Sequence, residues 1–295
     1  MDHLAAETLA VIDASPAERL AFMRRAKWFG YAAADAILED LESLLAYPIS
    51  HRTPGMMLLG DSNSGKSALC LEFLSRHPAD SRPDADAIHV PVVYIEMPPG
   101  PEQHLLYDTI LTRLGQPFRA KDPLAIKLMQ VRAVLAMIGC RMLIIDEFQH
   151  VLGPRHDKRR VLLDTIKHMS NDLHLPIVLA GTSEAHLAVS KDEQLINRLA
   201  ATWMPTWTMN HEYRQLLATY EVMMPLRERS RLQSRDAAGI ILALSEGRLG
   251  EIRDLLCLAV HEALRQGRES VDAEFLRTLR WVAPSKRRLQ RAPAT

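Results

Sequence analysis

The stretch Gly60-Asp61-Ser62-Asn63-Ser64-Gly65-Lys66-Ser67 matches the pattern G-x-x-x-x-G-K-[ST], and the apolar run Met56-Met57-Leu58-Leu59 precedes it. A buried strand that turns through glycines into a helix leaves backbone N–H groups pointing toward one place, where they can bind phosphate oxygens. In this pattern the lysine reaches the β- and γ-phosphates, and the final hydroxyl ligates Mg²⁺. The stretch therefore predicts a site for ATP and Mg²⁺, with Lys66 on the phosphates and Ser67 on the metal.

The composition is that of an ordinary globular protein: the chain has 295 residues, of which 47% are hydrophobic and 24% are charged. Lys and Arg number 36 and balance 36 Asp and Glu, so any contact with nucleic acid requires a local basic surface. The three cysteines, Cys70, Cys140 and Cys257, lie far apart, which argues against a zinc site or a disulfide framework.

The chain shows no pattern of export or membrane insertion. No apolar stretch approaches the roughly 20 residues that a membrane-spanning helix needs, and the N-terminus lacks the charged and apolar regions of a signal peptide. We therefore expect a cytoplasmic protein that does not interact with membranes.

Four short apolar runs predict buried strands separated by helices, which is typical of a parallel sheet covered on both faces. They are Met56–Leu59, Val90–Met97, Met142–Ile145 and Ile177–Leu179. After Trp207 the apolar periodicity is helical throughout. We predict an N-terminal helical extension over residues 1–54, an α/β core over 55–208, a helical lid over 209–283 and a basic tail over 284–295.

A second motif lies in the third apolar run, where Met142-Leu143-Ile144-Ile145 leads into Asp146 and Glu147. A carboxylate at the end of a strand, downstream of a phosphate loop, is typical of the Walker B motif. Asp146 is therefore expected to hold Mg²⁺ beside Ser67. Glu147 is the candidate general base for the attacking water, which predicts an ATPase.

The order of these motifs, with the extra strand Val92–Met97 between them, resembles the additional-strand class of phosphate-loop ATPases and, within it, the AAA+ proteins. That resemblance implies a five-stranded parallel sheet with a small C-terminal helical lid. It also implies a sensor role for Thr182, which follows the strand Leu179-Ala180-Gly181. A helix N-cap is the alternative role for Thr182.

Arg198 lies where AAA+ subunits carry an arginine finger, which acts on the nucleotide of a neighbouring subunit. The alternative is a solvated arginine at a helix end. The AAA+ sensor II pattern G-x-x-R is altered here, because Gly247-Arg248-Leu249-Gly250 places glycine at the position of the arginine. Arg248 or Arg253 can substitute, lid sensing can be weak, or the glycines can serve close helix packing.

Several segments follow one another along the chain: Trp28–Tyr31, Gly60–Ser67, Asp146–His150, Asn171–Ile177 leading into Gly181–Ala185, and Asn197-Arg198. In this order they resemble the TniB family of transposon-encoded AAA+ ATPases, which is related to TnsC and IstB. The resemblance implies a regulator that oligomerises on double-stranded DNA in the ATP state. It also implies recruitment of a DDE-type, TniA-like transposase, together with a TniQ-like partner. Hydrolysis would then control assembly. A helicase loader or protein remodeller is the alternative function.

The best local candidates for DNA contact are three basic residues, Arg113, Arg119 and Lys121. The last two belong to the segment Gln116–Pro123, and loops in this position line the inner surface of related ATPases. Phosphate contacts of this kind add up when they repeat in each subunit of an oligomer. A solvated surface loop is the alternative.

Overall fold

The computed structural model describes residues 2–25, 28–50, 52–80, 88–100, 102–153 and 156–290, of which 156–157 and 288–290 are described by their backbone only. Within these ranges no helix combines the length and the apolar character that crossing a bilayer requires.

The described residues form five strands and fourteen α-helices. The strands are β1 (Gly55–Leu59), β2 (Val92–Glu96), β3 (Met142–Asp146), β4 (Ile177–Gly181) and β5 (Leu199–Trp203). The helices are α1 (Ala6–Leu9), α2 (Pro16–Arg24), α3 (Ala32–Leu45), α4 (Lys66–Arg76), α5 (Gln103–Arg113), α6 (Leu124–Met137), α7 (His156–Leu173), α8 (Ser183–Val189), α9 (Glu193–Ile196), α10 (His211–Met223), α11 (Arg235–Ser245), α12 (Leu249–Arg265), α13 (Ala273–Thr278) and α14 (Pro284–Gln290). A short 3-10 turn, Phe148–Leu152, follows β3.

The chain divides into two compact units, an α/β unit of Ala32–Met204 and a helical unit that joins Met1–Tyr31 to Pro205–Thr295. This division differs from the predicted one. Helix α3, predicted within the N-terminal extension, belongs to the α/β unit, whereas α1 and α2 pack with the C-terminal helices. Two contacts show the latter packing: the Ala5 N–H donates to the Val222 oxygen at 2.9 Å, and the buried Arg19 binds Glu269.

The sheet of the α/β unit is parallel throughout, in the order β2-β3-β4-β1-β5. Strands β1, β3 and β4 are buried along their whole length, which explains their continuous apolar sequences. Strand β4 lies between the strand that leads into the phosphate loop and the strand that ends at Asp146. In a parallel sheet the carboxyl ends of the strands share one edge, so these motifs and Thr182 lie at the same edge.

The helical unit has its own apolar core around Tyr213, Leu217, Leu256 and Phe275. Helix α2 begins with a capping box, since the Ser15 hydroxyl accepts from the Glu18 N–H and the Glu18 carboxylate accepts from the Ser15 N–H. The aromatic residues that follow it pack within this unit. Phe29 contacts Tyr220 at a ring-centroid distance of 5.1 Å, and Tyr31 contacts Trp207 at 5.0 Å.

Residues 284–290 of the predicted basic tail form α14. The Ser285 N–H donates to the Glu246 carboxylate at 3.0 Å. This bond connects the first turn of α14 to the residue that follows α11. Arg287 pairs with the buried Glu251 at 2.9 Å and lies over the Trp281 ring. At least one basic side chain of this segment, that of Arg287, is therefore neutralised within the helical unit. Residues 291–295, including Arg291, lie outside the described residues.

Candidate nucleotide-binding site

The phosphate loop connects β1 to α4, and its backbone has two residues in the left-handed region. They are Asn63, at φ 64°, and Gly65, at φ 100°, which stands directly before the first residue of α4. Gly60 permits a second close approach, because a Cβ there would lie 2.6 Å from the Ser64 hydroxyl and 2.9 Å from Met204 Cβ. The glycines at both ends of the motif are therefore required by the turn itself.

The Lys66 ammonium is buried in the loop and donates to the carbonyl oxygens of Gly60, at 2.9 Å, and Asp61, at 2.8 Å. Burial lowers the pKa of Lys66, and the negative charges of Asp146 and Glu147 oppose this change. The Lys66 ammonium and the carboxylates of Asp146 and Glu147 thus interact electrostatically at the edge of the sheet where β1 and β3 end. Phosphate loop and Walker B carboxylates thus form one site within the α/β unit.

The loop also contains a polar atom that the protein leaves without a partner. The Ser64 hydroxyl is buried and has no hydrogen-bond partner among the described residues. Buried hydroxyls in native structures are nearly always hydrogen-bonded, so an orphaned one inside a phosphate loop fits a bound polar ligand. The residues present therefore fit a nucleotide phosphate. Ser67, on the first turn of α4, is half-buried beside Lys66.

Asp146 is almost fully buried and both of its carboxylate oxygens accept hydrogen bonds. The Tyr94 hydroxyl donates to Oδ2 at 2.8 Å, and the Glu147 N–H donates to Oδ1 at 2.7 Å. These bonds hold the carboxylate in one orientation at the strand end. Each oxygen keeps a second lone pair, which leaves capacity for a metal-bound water.

Glu147 has a positive φ of 54°, which is uncommon for a residue with a side chain and often marks a functional position. Its carboxylate accepts a hydrogen bond from the Gln149 side-chain amide. The Gln149 oxygen in turn accepts from the Thr182 N–H at 3.3 Å. The Gln149 side chain thereby connects the candidate base, Glu147, to the residue that follows β4.

The Thr182 hydroxyl does not cap α8, although the residue occupies the N-cap position of that helix. The hydroxyl oxygen is instead buried with no hydrogen-bond partner among the described residues. This arrangement disfavours the purely structural alternative, in which the hydroxyl would satisfy the helix N-terminus. It fits the sensor role, for which the hydroxyl must be available to a ligand.

Comparison with models of known protein families gives a match for this chain. The family model described as bacterial TniB protein matches residues 19–209, more than half of the chain. The chain belongs to the TniB family. No curated protein sequence matches it.

Three solved structures with a similar fold have low sequence identity to the TniB chain. The Aeropyrum pernix ORC2 protein in its ADPNP-ADP complexes gives a TM-score of 0.61 at 15% identity, covering 88% of this chain and 70% of that chain. The Aeropyrum pernix ORC1 protein in complex with DNA gives 0.61 at 16% identity, covering 88% and 68%.

The Thermotoga maritima RuvB Holliday junction branch migration motor gives a TM-score of 0.52 at 14% identity, covering 86% of the TniB chain and 71% of the motor. At these identities the similarity concerns the fold. It confirms the predicted AAA+ phosphate-loop NTPase fold with a five-stranded parallel sheet.

Arg198 of the TniB chain directly precedes β5, two residues beyond α9. Its backbone oxygen accepts from the Gly55 N–H at 2.9 Å, and its guanidinium donates to the Asn171 side chain. Gly55 begins β1, whereas the phosphate loop follows the last residue of that strand, about 13 Å away at 3.3 Å per residue. Arg198 thus lies at the edge of the sheet opposite its own phosphate loop.

The altered sensor II pattern, Gly247–Gly250, spans the end of the turn between α11 and α12 and the first two residues of α12. Gly247 has a φ of +69°, and a Cβ there would lie 2.3 Å from the Trp207 oxygen, so the turn requires glycine. Arg248 lies 3.8 Å from the Glu246 carboxylate, and Arg253 donates to the Arg24 oxygen at 2.8 Å. These contacts support the packing interpretation of Gly247.

The DNA-contact candidates lie on and after α5, and Arg113, Arg119 and Lys121 are all exposed. The loop that carries Arg119 and Lys121 is bound to Lys127 of α6. The Lys127 ammonium is fully buried, pairs with Asp108 at 2.7 Å and donates to the Ala120 oxygen at 3.1 Å. The structure therefore displays two basic side chains on a fixed loop.

Sequence reasoning assigned no role to Tyr94 or Gln149, whose side chains donate hydrogen bonds to the carboxylates of Asp146 and Glu147 respectively. A signal exists for Gln149, which lies two residues after Glu147 in the Asp146–His150 segment. Tyr94 carries no such signal, because its proximity to Asp146 depends on the pairing of β2 with β3.

Proposed function

We propose that this chain is an ATP-dependent regulator of DNA transposition that oligomerises on double-stranded DNA. The observation that carries the proposal is the TniB family match over residues 19–209, which includes the whole nucleotide site. The similarity in fold to an ORC1 protein in complex with DNA is consistent with it.

Each part of the proposed nucleotide site has a candidate residue. Lys66 and the N–H groups before α4 would hold the phosphates, with Ser64 supplying an orphaned hydroxyl to the same ligand. Ser67 and Asp146 would hold Mg²⁺, which neutralises phosphate charge during phosphoryl transfer. The bonds from Tyr94 and from the Glu147 N–H orient Asp146 for this task.

Glu147 is the proposed general base and Thr182 the sensor of the terminal phosphate. A base must come within hydrogen-bond reach of the water that it deprotonates. Glu147 is half-exposed at the same sheet edge as Lys66, and the Thr182 hydroxyl remains without a protein partner there. Both groups therefore lie at the edge of the sheet where the proposed nucleotide and its attacking water would bind.

Assembly on DNA and recruitment of partners form the finer part of the proposal. Because the net charge is zero, DNA affinity would come from Arg113, Arg119 and Lys121 repeated once per subunit. The partners are those of the family resemblance, a TniA-like DDE transposase and a TniQ-like protein. ATP hydrolysis would then control how long the assembly remains on the target.

The test combines nucleotide titration with electron microscopy in the presence of an ATP analogue, with and without duplex DNA. We expect magnesium-dependent binding and DNA-dependent oligomers in the wild type. Lys66→Ala should abolish both, while Glu147→Gln should bind nucleotide, stop turnover and remain on DNA. Closed rings that are indifferent to DNA would favour a helicase loader or protein remodeller, and absence of nucleotide binding would refute the proposal.

A further inference from the structure

The three proposed DNA contacts lie on two elements that meet at one buried lysine. Arg113 is in the last turn of α5, whereas Arg119 and Lys121 lie in the loop between α5 and α6. All three side chains are exposed. Lys127, on α6, contacts both elements and is itself 0% exposed. It therefore does not reach a DNA phosphate, although it is a cation in the same region.

The Lys127 ammonium has partners on both elements. On α5, its Nζ lies 2.7 Å from Oδ1 of Asp108 and donates to Oδ2 at 2.9 Å. In the loop, it donates to the Ala120 oxygen at 3.1 Å and lies 5.4 Å from the centre of the Phe118 ring. A buried ammonium is tolerated when its charge is paired and its donors are bonded. These contacts meet that requirement, so the ammonium links α5 to the loop.

The link reaches the loop between its two cations. Ala120 separates Arg119 from Lys121, and its carbonyl oxygen is the atom that Lys127 binds. Two bonds close the turn around it. The Arg119 N–H donates to the Asp122 carboxylate at 2.9 Å, and the Asp122 N–H donates to the Arg119 oxygen at 3.0 Å. Lys127 therefore restrains the stretch of backbone that carries both cations.

We propose that Lys127 is a positioning residue, which raises the affinity for duplex DNA without touching it by holding Arg119 and Lys121 in a fixed relation to Arg113. This inference rests on the proposed function, because it takes these three residues as the DNA contacts. A loop that is ordered before binding loses less conformational entropy when it binds. Without the ammonium, the loop carries the same exposed charges but must be ordered by the DNA, which lowers the affinity.

The first test measures the order of the loop in protein without nucleotide or DNA, by hydrogen exchange of the Arg119 and Asp122 amides. Lys127→Met keeps a long side chain but removes the ammonium, so both amides should exchange at least about fivefold faster. The double variant Lys127→Met with Asp108→Asn should do the same, and it leaves no carboxylate without its cation. Lys167→Met, at a lysine of α7 that pairs with a carboxylate of its own helix, is the control and should change nothing. Unchanged exchange in both Lys127 variants would overturn the inference.

The second test measures affinity for duplex DNA by fluorescence anisotropy at several salt concentrations, with an ATP analogue present. Lys127→Met should weaken the affinity at least about threefold at every salt concentration and leave the slope of log affinity against log salt unchanged, because the number of phosphate contacts stays the same. A cation that contacts a phosphate directly would instead reduce the slope by about 0.9. That result, or an unchanged affinity, would overturn the inference. Lys167→Met should match the wild type.

Removal of the loop cations tests whether Lys127 acts through them. In protein that carries Arg119→Ala and Lys121→Ala, Lys127→Met should weaken the remaining affinity by a clearly smaller factor than in the wild type. Equal factors would contradict the inference. Wild-type protein that binds no duplex would refute the proposed function, and with it the DNA role of the loop. Wild-type binding that Lys127→Met leaves unchanged would refute the inference alone.

Discussion

The Tyr94 hydroxyl donates a hydrogen bond to Oδ2 of Asp146 at 2.8 Å, across the pairing of β2 with β3. Burial, together with the adjacent charge of Asp146, raises the pKa of Tyr94. The hydroxyl therefore remains a donor throughout the physiological pH range. The proposed magnesium carboxylate is thus oriented by a strand that carries no nucleotide-binding motif.

Tyr94→Phe should weaken the magnesium dependence of nucleotide binding. Loss of a hydrogen bond to a metal-ligating carboxylate costs about 10-fold or more in metal affinity, so the magnesium concentration at half-maximal binding should rise by about that factor. The measurement is a magnesium titration at fixed ATP analogue. Tyr107→Phe, a buried tyrosine in the core of the same unit, should leave the midpoint unchanged. An unchanged midpoint in Tyr94→Phe would remove Tyr94 from this role.

Arg198→Ala should lower hydrolysis only in the assembled state. Arg198 lies at the sheet edge away from its own phosphate loop, so it can stabilise phosphoryl transfer only in a neighbouring subunit. Arginine fingers contribute about 10³-fold or more to kcat, and we expect a loss of that order in the DNA-bound oligomer. The unassembled protein should keep its basal rate.

Asn171→Ala is the matched control for Arg198, because it removes the side-chain acceptor of the guanidinium and keeps the arginine. A structural role would give similar losses in the two variants. A role in the neighbouring site would make Arg198→Ala much the more damaging. Equal kcat values for both variants in the oligomer would contradict the finger assignment.

The strands that sequence predicts correctly are those with continuous apolar runs. Strands β1, β3 and β4 are buried on both faces, so every position selects an apolar residue. Strand β5 has no continuous apolar run and is therefore not predicted by this criterion. It is the edge strand beside β1, and its central positions Ala200 and Ala201 are exposed. Only the AAA+ resemblance implied a fifth strand.

The residues that sequence reasoning missed depend on long-range geometry. The phosphate loop is local, and its spacing alone indicates the chemistry. Tyr94 and Asp146 are 52 positions apart, and Gln149 and Thr182 are 33 apart. The predicted domain boundaries differ from the observed units for the same reason. The packing of α1 and α2 against the C-terminal helices leaves no signal in the local sequence.

Arg119→Ala and Lys121→Ala should each reduce the salt dependence of DNA affinity. Each phosphate contact contributes about one unit to the slope of log affinity against log salt, so each substitution should lower it by about one per bound subunit. Fluorescence anisotropy with duplex DNA at several salt concentrations measures the slope. Lys191→Ala, an exposed lysine before α9, is the control. An unaltered slope in both loop variants would place the DNA contacts elsewhere.

The ion pair between Arg19 and Glu269 should make the helical unit sensitive to acid. Arg19 is buried, donates to the Pro225 oxygen at 2.8 Å and binds the Glu269 carboxylate. Burial acts to raise the pKa of Glu269, but hydrogen bonds from Arg19 and from the Arg227 N–H lower it below its ordinary value. The unfolded chain therefore binds the proton more tightly than the folded one.

The stability contributed by Glu269 is thus fully present above the unfolded-state pKa, about 4.3, and is lost as the pH falls through the lower folded-state pKa. Arg19→Met should lower the free energy of unfolding by about 3 kcal/mol at pH 7. The difference from the wild type should shrink below pH 4. Urea denaturation at several pH values measures it, with the exposed Arg214→Met as control. A difference that stays constant down to pH 3 would show that Arg19 stabilises the unit through packing and its bond to Pro225.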